Sequence, residues 1–205
     1  MKVKMLKNSI QILKIMVLAT GLLATTAYAD TQSELLVKVS NILGKPAGLK
    51  VDFSQNKQIK GFKTPAKSSG HVLIAAQRGM QWVTDAPYQS TLKITPNGIS
   101  EVRGGQTTQI GNAQSMKSMS AILSGMLSGD FKPMQRYFRF SGTAGGSAWS
   151  MKLTPVDANV KRAITSIQMS GGRYVNHVTV YEANGDVSNI SFSGATPIAA
   201  SAVGL

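Results

Sequence analysis

The chain has 205 residues, of which 22 are Lys or Arg and 9 are Asp or Glu, giving a formal net charge of +13, and it contains no cysteine. The absence of cysteine excludes disulfide frameworks, thiol nucleophiles, Cys-ligated zinc and a lipid-modified N-terminal cysteine. The length suits a single domain with a substantial apolar core.

The first 29 residues are organised like a secretory signal peptide. Four lysines and no acid precede Asp30, an apolar stretch covers residues 12–23, and Ala27-Tyr28-Ala29 follows as a cleavage site. The apolar stretch is shorter than the about 20 residues of a membrane-spanning helix. We therefore predict a cleaved signal peptide over 1–29 and one exported domain over 30–205. Because the four lysines lie in the leader, the remaining 176 residues carry +9.

A helix is predicted directly after this leader. Thr31-Gln32-Ser33-Glu34 has the spacing of a capping box, in which the Thr hydroxyl and the Glu carboxylate satisfy free amides of the first turn. An apolar stripe follows at helical spacing, and Gly44 and Pro46 end it. The stripe consists of Leu35, Leu36, Val39, Ile42 and Leu43.

From Leu49 onward the apolar period changes to two, which is typical of strands with one buried face. Turn sequences such as Pro96-Asn97-Gly98 and Asn184-Gly185 separate the alternating segments and favour hairpins. The pattern predicts ten or eleven strands in meander order, forming an antiparallel sheet or barrel. The strands are expected at Leu49–Ser54, Gly70–Ala76, Met80–Thr84, Ser90–Thr95, Ile99–Arg103, Thr107–Ile110, Tyr137–Ser141, Ala148–Thr154, Ala163–Met169, Tyr174–Tyr181 and Val187–Phe192.

A second helix is predicted between the two groups of strands, over Ala113–Gly129. Its apolar side is rich in methionine, whose unbranched thioether side chain adapts to guests of variable shape. Two interpretations stay open: the methionines pack on the sheet as core, or they form a lid over an apolar concavity. The stripe consists of Met116, Met119, Ile122, Leu123, Met126 and Leu127.

The sequence lacks the residues of a recognisable catalytic site. His71 and His177 lie on predicted strands, and neither has a carboxylate or second histidine at metal-ligand spacing. No nucleotide-binding loop, hydrolase elbow or dinucleotide fingerprint is present, so we expect neither enzyme activity nor a cofactor. The basic residues are spread along the chain without interleaved aromatics, which argues against nucleic-acid binding. A solvated surface, anionic lipid and an acidic partner remain possible explanations of the charge.

The order of several short motifs resembles the LolA family of periplasmic lipoprotein carriers, in a divergent form. Phe53-Ser54-Gln55 is similar to the family's early F-x-Q strand, and Trp82 with Pro87 is similar to its W…P segment. The segment 149–155, Trp-Ser-Met-Lys-Leu-Thr-Pro, resembles its W-x-L-x-L-x-P strand, and 185–192 its closing hairpin. The resemblance covers nearly the whole exported chain.

This resemblance implies an incomplete, strongly curved antiparallel β-barrel, covered by the N-terminal helix and the mid-chain helical lid. It also implies a monomeric, non-enzymatic periplasmic carrier that shields the acyl chains of its cargo and ferries them from the inner to the outer membrane. The implied partners are an acylated cargo, an inner-membrane release complex and an outer-membrane acceptor. Two alternatives stay open: a carrier of free lipid or glycolipid in a specialised envelope pathway, and a periplasmic lipid-sensing module that binds a regulatory protein.

The expected cavity and lid residues follow from the strands, the second helix and the resemblance. Familiar members carry an arginine six positions before the tryptophan, where it ties the barrel to the lid; here the nearest is Arg78, four positions before Trp82. Arg78 is therefore either a displaced latch or an exposed hairpin residue, and Trp82 is either core or cargo contact. The predicted ligand-binding residues are Phe53, Leu73, Arg78, Trp82, Met116, Met119, Leu123 and Met126.

Overall fold

The computed structural model describes residues 23–110, 125 and 130–205, with side chains described from residue 32. Within these residues, eleven strands form one antiparallel sheet that does not close. The strands are β1 (Gly48–Gln58), β2 (Ala66–Ala75), β3 (Gly79–Ala86), β4 (Ser90–Thr95), β5 (Gly98–Arg103), β6 (Gln106–Gln109), β7 (Phe138–Gly145), β8 (Ala148–Pro155), β9 (Ile164–Gly171), β10 (Val175–Glu182) and β11 (Val187–Ile198).

The helical elements lie at the ends and joints of the sheet. Helix α1 spans Leu23–Ile42 and helix α2 spans Ala158–Ala163. Two 3₁₀ turns cover Pro133–Arg136 and Ala200–Ala202. No helix of the described residues is long and apolar enough to cross a membrane.

The strand order is a meander joined by one long-range pairing. The order runs β6-β5-β4-β3-β2-β1-β11-β10-β9-β8-β7, so the first and last strands of the chain pair in the middle. There Phe53 of β1 lies opposite Phe192 of β11. Edge strands β6 and β7 are not paired with each other, which leaves an incomplete barrel. The predicted fold, mainly β with an incomplete antiparallel barrel, is confirmed.

Helix α1 covers the β7 side of the sheet. The predicted stripe is buried at Leu35, Leu36, Val39 and Leu43. The helix packs on β7 and β8, and the Gln32 side chain accepts a hydrogen bond from the backbone amide of Phe140, at 2.9 Å. Because β7 is an edge strand, this bond satisfies an amide that has no neighbouring strand.

Several elements extend beyond the predicted bounds, including β7 to Gly145 and β11 to Ile198. Helix α1 begins at Leu23, eight residues before Thr31, because the alanine-rich segment between them favours helix. Strand β1 continues to Gln58 and strand β2 already begins at Ala66, because the backbone pairing of the two strands extends beyond the apolar alternation. Helix α2 was not predicted; it begins where the Asp157 carboxylate accepts from the amides of Asn159 and Val160, at 2.9 and 3.0 Å.

The C-terminal tail, whose order the sequence leaves open, is ordered against the sheet. After β11 the chain turns at Ala200–Ala202, and Val203 is only 1% exposed. The side chains of Gln81 and Lys93 both donate to the carbonyl of Gly204, the latter at 3.1 Å. The tail therefore lies along the face of β3 and β4 that carries these two polar residues.

Candidate functional site

One face of the sheet, here called the core face, carries the apolar side chains. Opposed residues in an antiparallel pair point to the same side, and successive residues alternate. The register places Val51, Val72, Trp82 and Leu92 in one row across β1 to β4. The next row, across β1 to β5, is buried throughout: Leu49, Ile74, Met80, Ile94 and Ile99.

The other half of the sheet continues this face. Met151 of β8, Met169 of β9 and Val178 of β10 lie side by side and are buried. Ile190 of β11 follows in the same row but is half-buried. The core face is thus apolar from β4 to β8.

Three aromatic rings meet at the centre of the core face. The Trp82 ring centroid lies 4.4 Å from that of Phe53 and 6.0 Å from that of Phe192, the latter edge to face. Phe53 and Phe192 are buried, whereas Trp82 and its neighbour Leu92 are half-buried. In the row that contains Trp82 and Leu92, exposure therefore increases from the central strands toward β4, and the surface that becomes accessible there is apolar.

We define the lining patch as Phe53, Trp82, Leu92, Ile190 and Phe192. Its members combine a buried aromatic floor with half-buried apolar side chains that retain accessible surface. Such a surface gains free energy when it contacts another apolar group, at about 25 cal/mol per Å² removed from water.

A polar cluster bounds the core face near the β1–β2 hairpin. The ammonium of Lys57 lies 2.7 Å from Glu182 Oε1 and 3.3 Å from Asp186 Oδ2. Asp186 is buried and also accepts from the backbone amide of Lys60, at 2.9 Å. Ser188, buried beside them, donates to Glu182. These groups satisfy one another, so the apolar face ends at a border of paired charges, in which one ammonium faces two carboxylates.

The cluster shifts the pKa values of two of its members. The backbone amide of Lys60 is the main cause that lowers the pKa of Asp186 from 3.8, with the side chains of Lys57 and Asn184 acting in the same direction. The hydrogen bond to Glu182 is the main cause that raises the pKa of Lys57 from 10.5. Both shifts favour the charged forms, which keeps the cluster paired at neutral pH.

The predicted site residues divide into four groups. Phe53 and Trp82 are brought together in the lining patch. Leu73 is not: it lies level with Lys50 and Gln81, on the opposite face of β2 from Val72. The structure therefore does not bring Leu73 together with Phe53 and Trp82, because the period of two fixes alternation but not which set faces the core. Leu73 instead lies on the face that carries the C-terminal tail.

Arg78 lies in the turn between β2 and β3 and is exposed. Its guanidinium donates to the carbonyl of Ala200 in the C-terminal tail, at 3.5 Å. The lid residues Met116, Met119, Leu123 and Met126 lie outside the described residues. Within the predicted helix, Gly125 is described: it is helical and buried, and a Cβ added there would lie 2.6 Å from Met134 Sδ.

Leu92, Ile190 and Phe192 belong to the lining patch but were not predicted as site residues. Their strands, Ser90–Thr95 and Val187–Phe192, were predicted, and the alternation within each marks them as apolar positions. What was missing is the pairing of β1 with β11, which joins residues between 129 positions (Gln58 and Val187) and 150 positions (Gly48 and Ile198) apart. No local pattern in the sequence specifies that pairing.

Each of the two histidines contacts one polar side chain. His71 Nδ1 lies 3.2 Å from Asp85 Oδ2, a carboxylate that sequence spacing did not indicate, and the Asp85 side chain is 55% exposed. His177 contacts the Ser191 hydroxyl. Among the described residues, no group of three or more His, Cys, Asp or Glu side chains could hold a metal ion.

A separate groove of about 370 Å³ lies between α1 and the segment before β7. Its walls are Ser33, Leu36, Val37, Ser40 and Asn41 from α1 and Asp130, Phe131, Lys132 and Gln135 from that segment. The groove mixes polar and apolar groups and does not touch the lining patch.

The model of the family described as "Outer membrane lipoprotein carrier protein LolA-like" matches residues 29–204. No curated protein matches the sequence.

Several solved structures are similar in fold. A LolA superfamily protein from Nitrosomonas europaea is 11% identical with a TM-score of 0.50, and the match covers 82% of this chain and 94% of that one. A putative outer membrane lipoprotein-sorting protein domain from Vibrio parahaemolyticus is 10% identical with a TM-score of 0.44, covering 82% and 92%. The MucA/MucB complex of Pseudomonas aeruginosa is 10% identical with a TM-score of 0.46, covering 80% of this chain and 56% of that one.

Proposed function

The chain belongs to the LolA-like family of outer membrane lipoprotein carrier proteins, and from that premise we propose that it carries an acylated molecule in an apolar site on the core face. The cargo is a lipoprotein or a lipid, taken up at the inner membrane and delivered to the outer membrane. The observation that supports this most directly is the lining patch, with its half-buried Trp82 and Leu92 above a floor of Phe53 and Phe192.

The energetics of transport require such a site. At about 0.8 kcal/mol per methylene, a 16-carbon acyl chain exposed to water costs on the order of 12 kcal/mol. A carrier in the aqueous periplasm must therefore cover most of the chain with apolar surface. The barrel is open between β6 and β7 in its strand pairing, which allows entry without breaking a closed ring of hydrogen bonds.

The proposed setting is the periplasm of a Gram-negative bacterium, which the leader over residues 1–29 supports. The proposed partners are an inner-membrane complex that releases the cargo and an outer-membrane acceptor. The function is binding and transfer, not catalysis. The proposed cargo is either a lipoprotein or a free lipid. The lining patch suits both, because each carries acyl chains.

Native mass spectrometry of the protein recovered from its own periplasm, followed by solvent extraction, tests the proposal. A bound acylated species is expected, and its mass separates lipoprotein from free lipid. A protein that is empty and fails to take up a fluorescent fatty acid would contradict carriage and favour a module that binds a regulatory protein.

A matched pair of variants tests the location of the site. Leu92 and Val83 are half-buried apolar residues on adjacent strands, Leu92 on the core face beside Trp82 and Val83 on the opposite face beside His71. L92E is expected to weaken fatty-acid uptake by at least about tenfold, because a charge would face the acyl chain. V83E is expected to leave uptake within about twofold. Equal loss in both variants, with both still folded by circular dichroism, would place binding elsewhere.

A further inference from the structure

Two hairpin connections carry the most exposed large apolar side chains of the described residues. Both project from the same end of the strands, which is not the side of the sheet formed by the edge strands β6 and β7. Phe62, between β1 and β2, is 67% exposed, and Tyr88, between β3 and β4, is 78% exposed. Ala86 at the end of β3 lies level with Ser69 near the start of β2, so both connections lie at one edge. We call this edge, formed by residues 59–65 and 87–89, the hairpin edge.

The β1–β2 hairpin extends beyond its neighbour and presents Phe62 in a fixed way. Its strands remain paired to Lys57 and Ala66, three residues beyond the level at which β3 ends. The Phe62 amide donates to the Ile59 carbonyl at 3.0 Å, and the Gln58 side chain donates to the Phe62 carbonyl at 2.5 Å. With the backbone held from two sides, the ring is directed outward at little cost in entropy.

Positive charge surrounds this ring. Lys60, Lys63 and Lys67 are exposed and lie within five residues of Phe62. The next acid along the sequence is Asp85, at the end of β3, whose Oδ2 lies 3.2 Å from His71 Nδ1. The nearest carboxylate on the adjoining β10–β11 turn, Asp186, is already paired with Lys57 and the Lys60 amide. Lys57 offsets one of the two carboxylates of the polar cluster, so the cluster balances at most one of the three ammonium groups and the hairpin edge stays positive.

We propose that the hairpin edge binds the surface of an anionic phospholipid bilayer, with Phe62 and Tyr88 inserted at the level of the headgroups and the three lysines paired with lipid phosphates. Aromatic side chains favour this interfacial depth, and each basic residue near an anionic membrane contributes to the attraction. A projecting tip suits a lipid surface better than a protein partner, since stable protein interfaces need about 800 Å² from each partner.

This inference goes beyond the proposed function, because membrane contact at the hairpin edge requires neither cargo nor the lining patch. The lining patch lies on the core face, whereas Phe62 and Tyr88 lie at its end and point into solvent. Vesicle binding and fatty-acid uptake can therefore succeed or fail independently, and the two experiments report on different surfaces.

The test is co-flotation of the exported protein with vesicles of equal parts phosphatidylglycerol and phosphatidylethanolamine, compared with vesicles of phosphatidylcholine alone. Binding is expected only to the anionic vesicles and should fall as salt is raised. Replacing Lys60, Lys63 and Lys67 together by Gln should weaken it about a hundredfold, from about 1 kcal/mol per charge. F62S should weaken it about tenfold or more.

Matched controls separate this surface from general charge and hydrophobicity. Val37 on α1 is 60% exposed and lies away from the hairpin edge, so V37S should leave vesicle binding unchanged. The triple Gln variant of Lys38, Lys45 and Lys152 removes the same charge from other exposed positions and should have less than a fivefold effect.

Two results would overturn the proposal. One is no binding of the unmodified protein to anionic vesicles at low salt. The other is an equal loss of vesicle binding in the two triple variants, which would mean that binding depends on net charge and not on the hairpin edge. If the unmodified protein does not bind vesicles but self-associates, and F62S abolishes the self-association, the hairpin edge would instead bind a second copy of the chain.

Discussion

Gly70 lies on the core face of β2, next to Phe53 on β1 and level with Thr84 on β3. A Cβ added to Gly70 would lie 2.0 Å from the carbonyl oxygen of Val83. This is well below 3.0 Å, the shortest distance that real Cβ atoms keep from such neighbours. The clash is with backbone, so no side-chain rotation relieves it. G70A must therefore push β3 away from β2 by about 1 Å or more at this point.

The cost of that displacement can be worked from its parts. Overpacking a well-packed region costs about 1–3 kcal/mol, and weakening one ladder hydrogen bond adds about 1 kcal/mol. We expect G70A to lower the free energy of unfolding by about 3 kcal/mol. For a domain of this size that corresponds to a fall in Tm of about 6–12 °C. Because Trp82 lies on β3 two residues from Thr84, the shift should also reduce fatty-acid uptake.

Urea denaturation followed by tryptophan fluorescence measures this effect, with G145A as the matched control. Gly145 lies at the end of β7, and a Cβ there would meet no atom within 4 Å. G145A is therefore expected to change stability by less than about 1 kcal/mol, with stabilisation the favoured sign because the unfolded chain loses freedom. A G70A variant as stable as G145A would refute the argument that close backbone approach at Gly70 shapes the core face.

Three further predictions concern the cluster at the end of the core face, the tail and the lining patch. The pKa of Asp186 is lowered from 3.8 in the folded protein, so its ionised form stabilises the fold above that value, and the stabilisation is lost as pH falls through the lowered pKa. D186N should therefore lower the urea midpoint at about pH 7, and the gap to the unmodified protein should shrink as the pH falls below 3.8; a gap independent of pH would contradict this. V203A should cost about 1–2 kcal/mol in urea denaturation, because Val203 is the tail residue that is buried where the tail packs on the sheet; no change would mean that the tail is not docked in solution. In a W149F background, fatty acid should alter the fluorescence of Trp82, whereas in a W82F background the buried Trp149 should not respond; the opposite pattern would move the binding site toward β8.

The sequence alone determines the elements of this fold and much of its chemistry. The period of two from Leu49 onward predicts the strands of the described residues that have one buried face. Strand β6 is exposed along its length and lacks that signal. The stripe from Leu35 to Leu43 specifies the buried side of α1. The motifs around Phe53, Trp82 and residues 149–155 indicate the family that the match over residues 29–204 confirms. These features are local, so they can be read without knowing which strands are neighbours.

Tertiary structure alone decides which surfaces those elements form. Alternation in β2 allows either Leu73 or the pair Val72 and Ile74 to face the core, and only the register with β1 and β3 selects the pair. Likewise, the pairing of β1 with β11 brings Phe192 to Trp82 and Glu182 to Lys57. Such contacts join residues more than 100 positions apart, and their free energy depends on a sheet that has already formed. The period of a strand is written in its own sequence, but the identity of its neighbours is not.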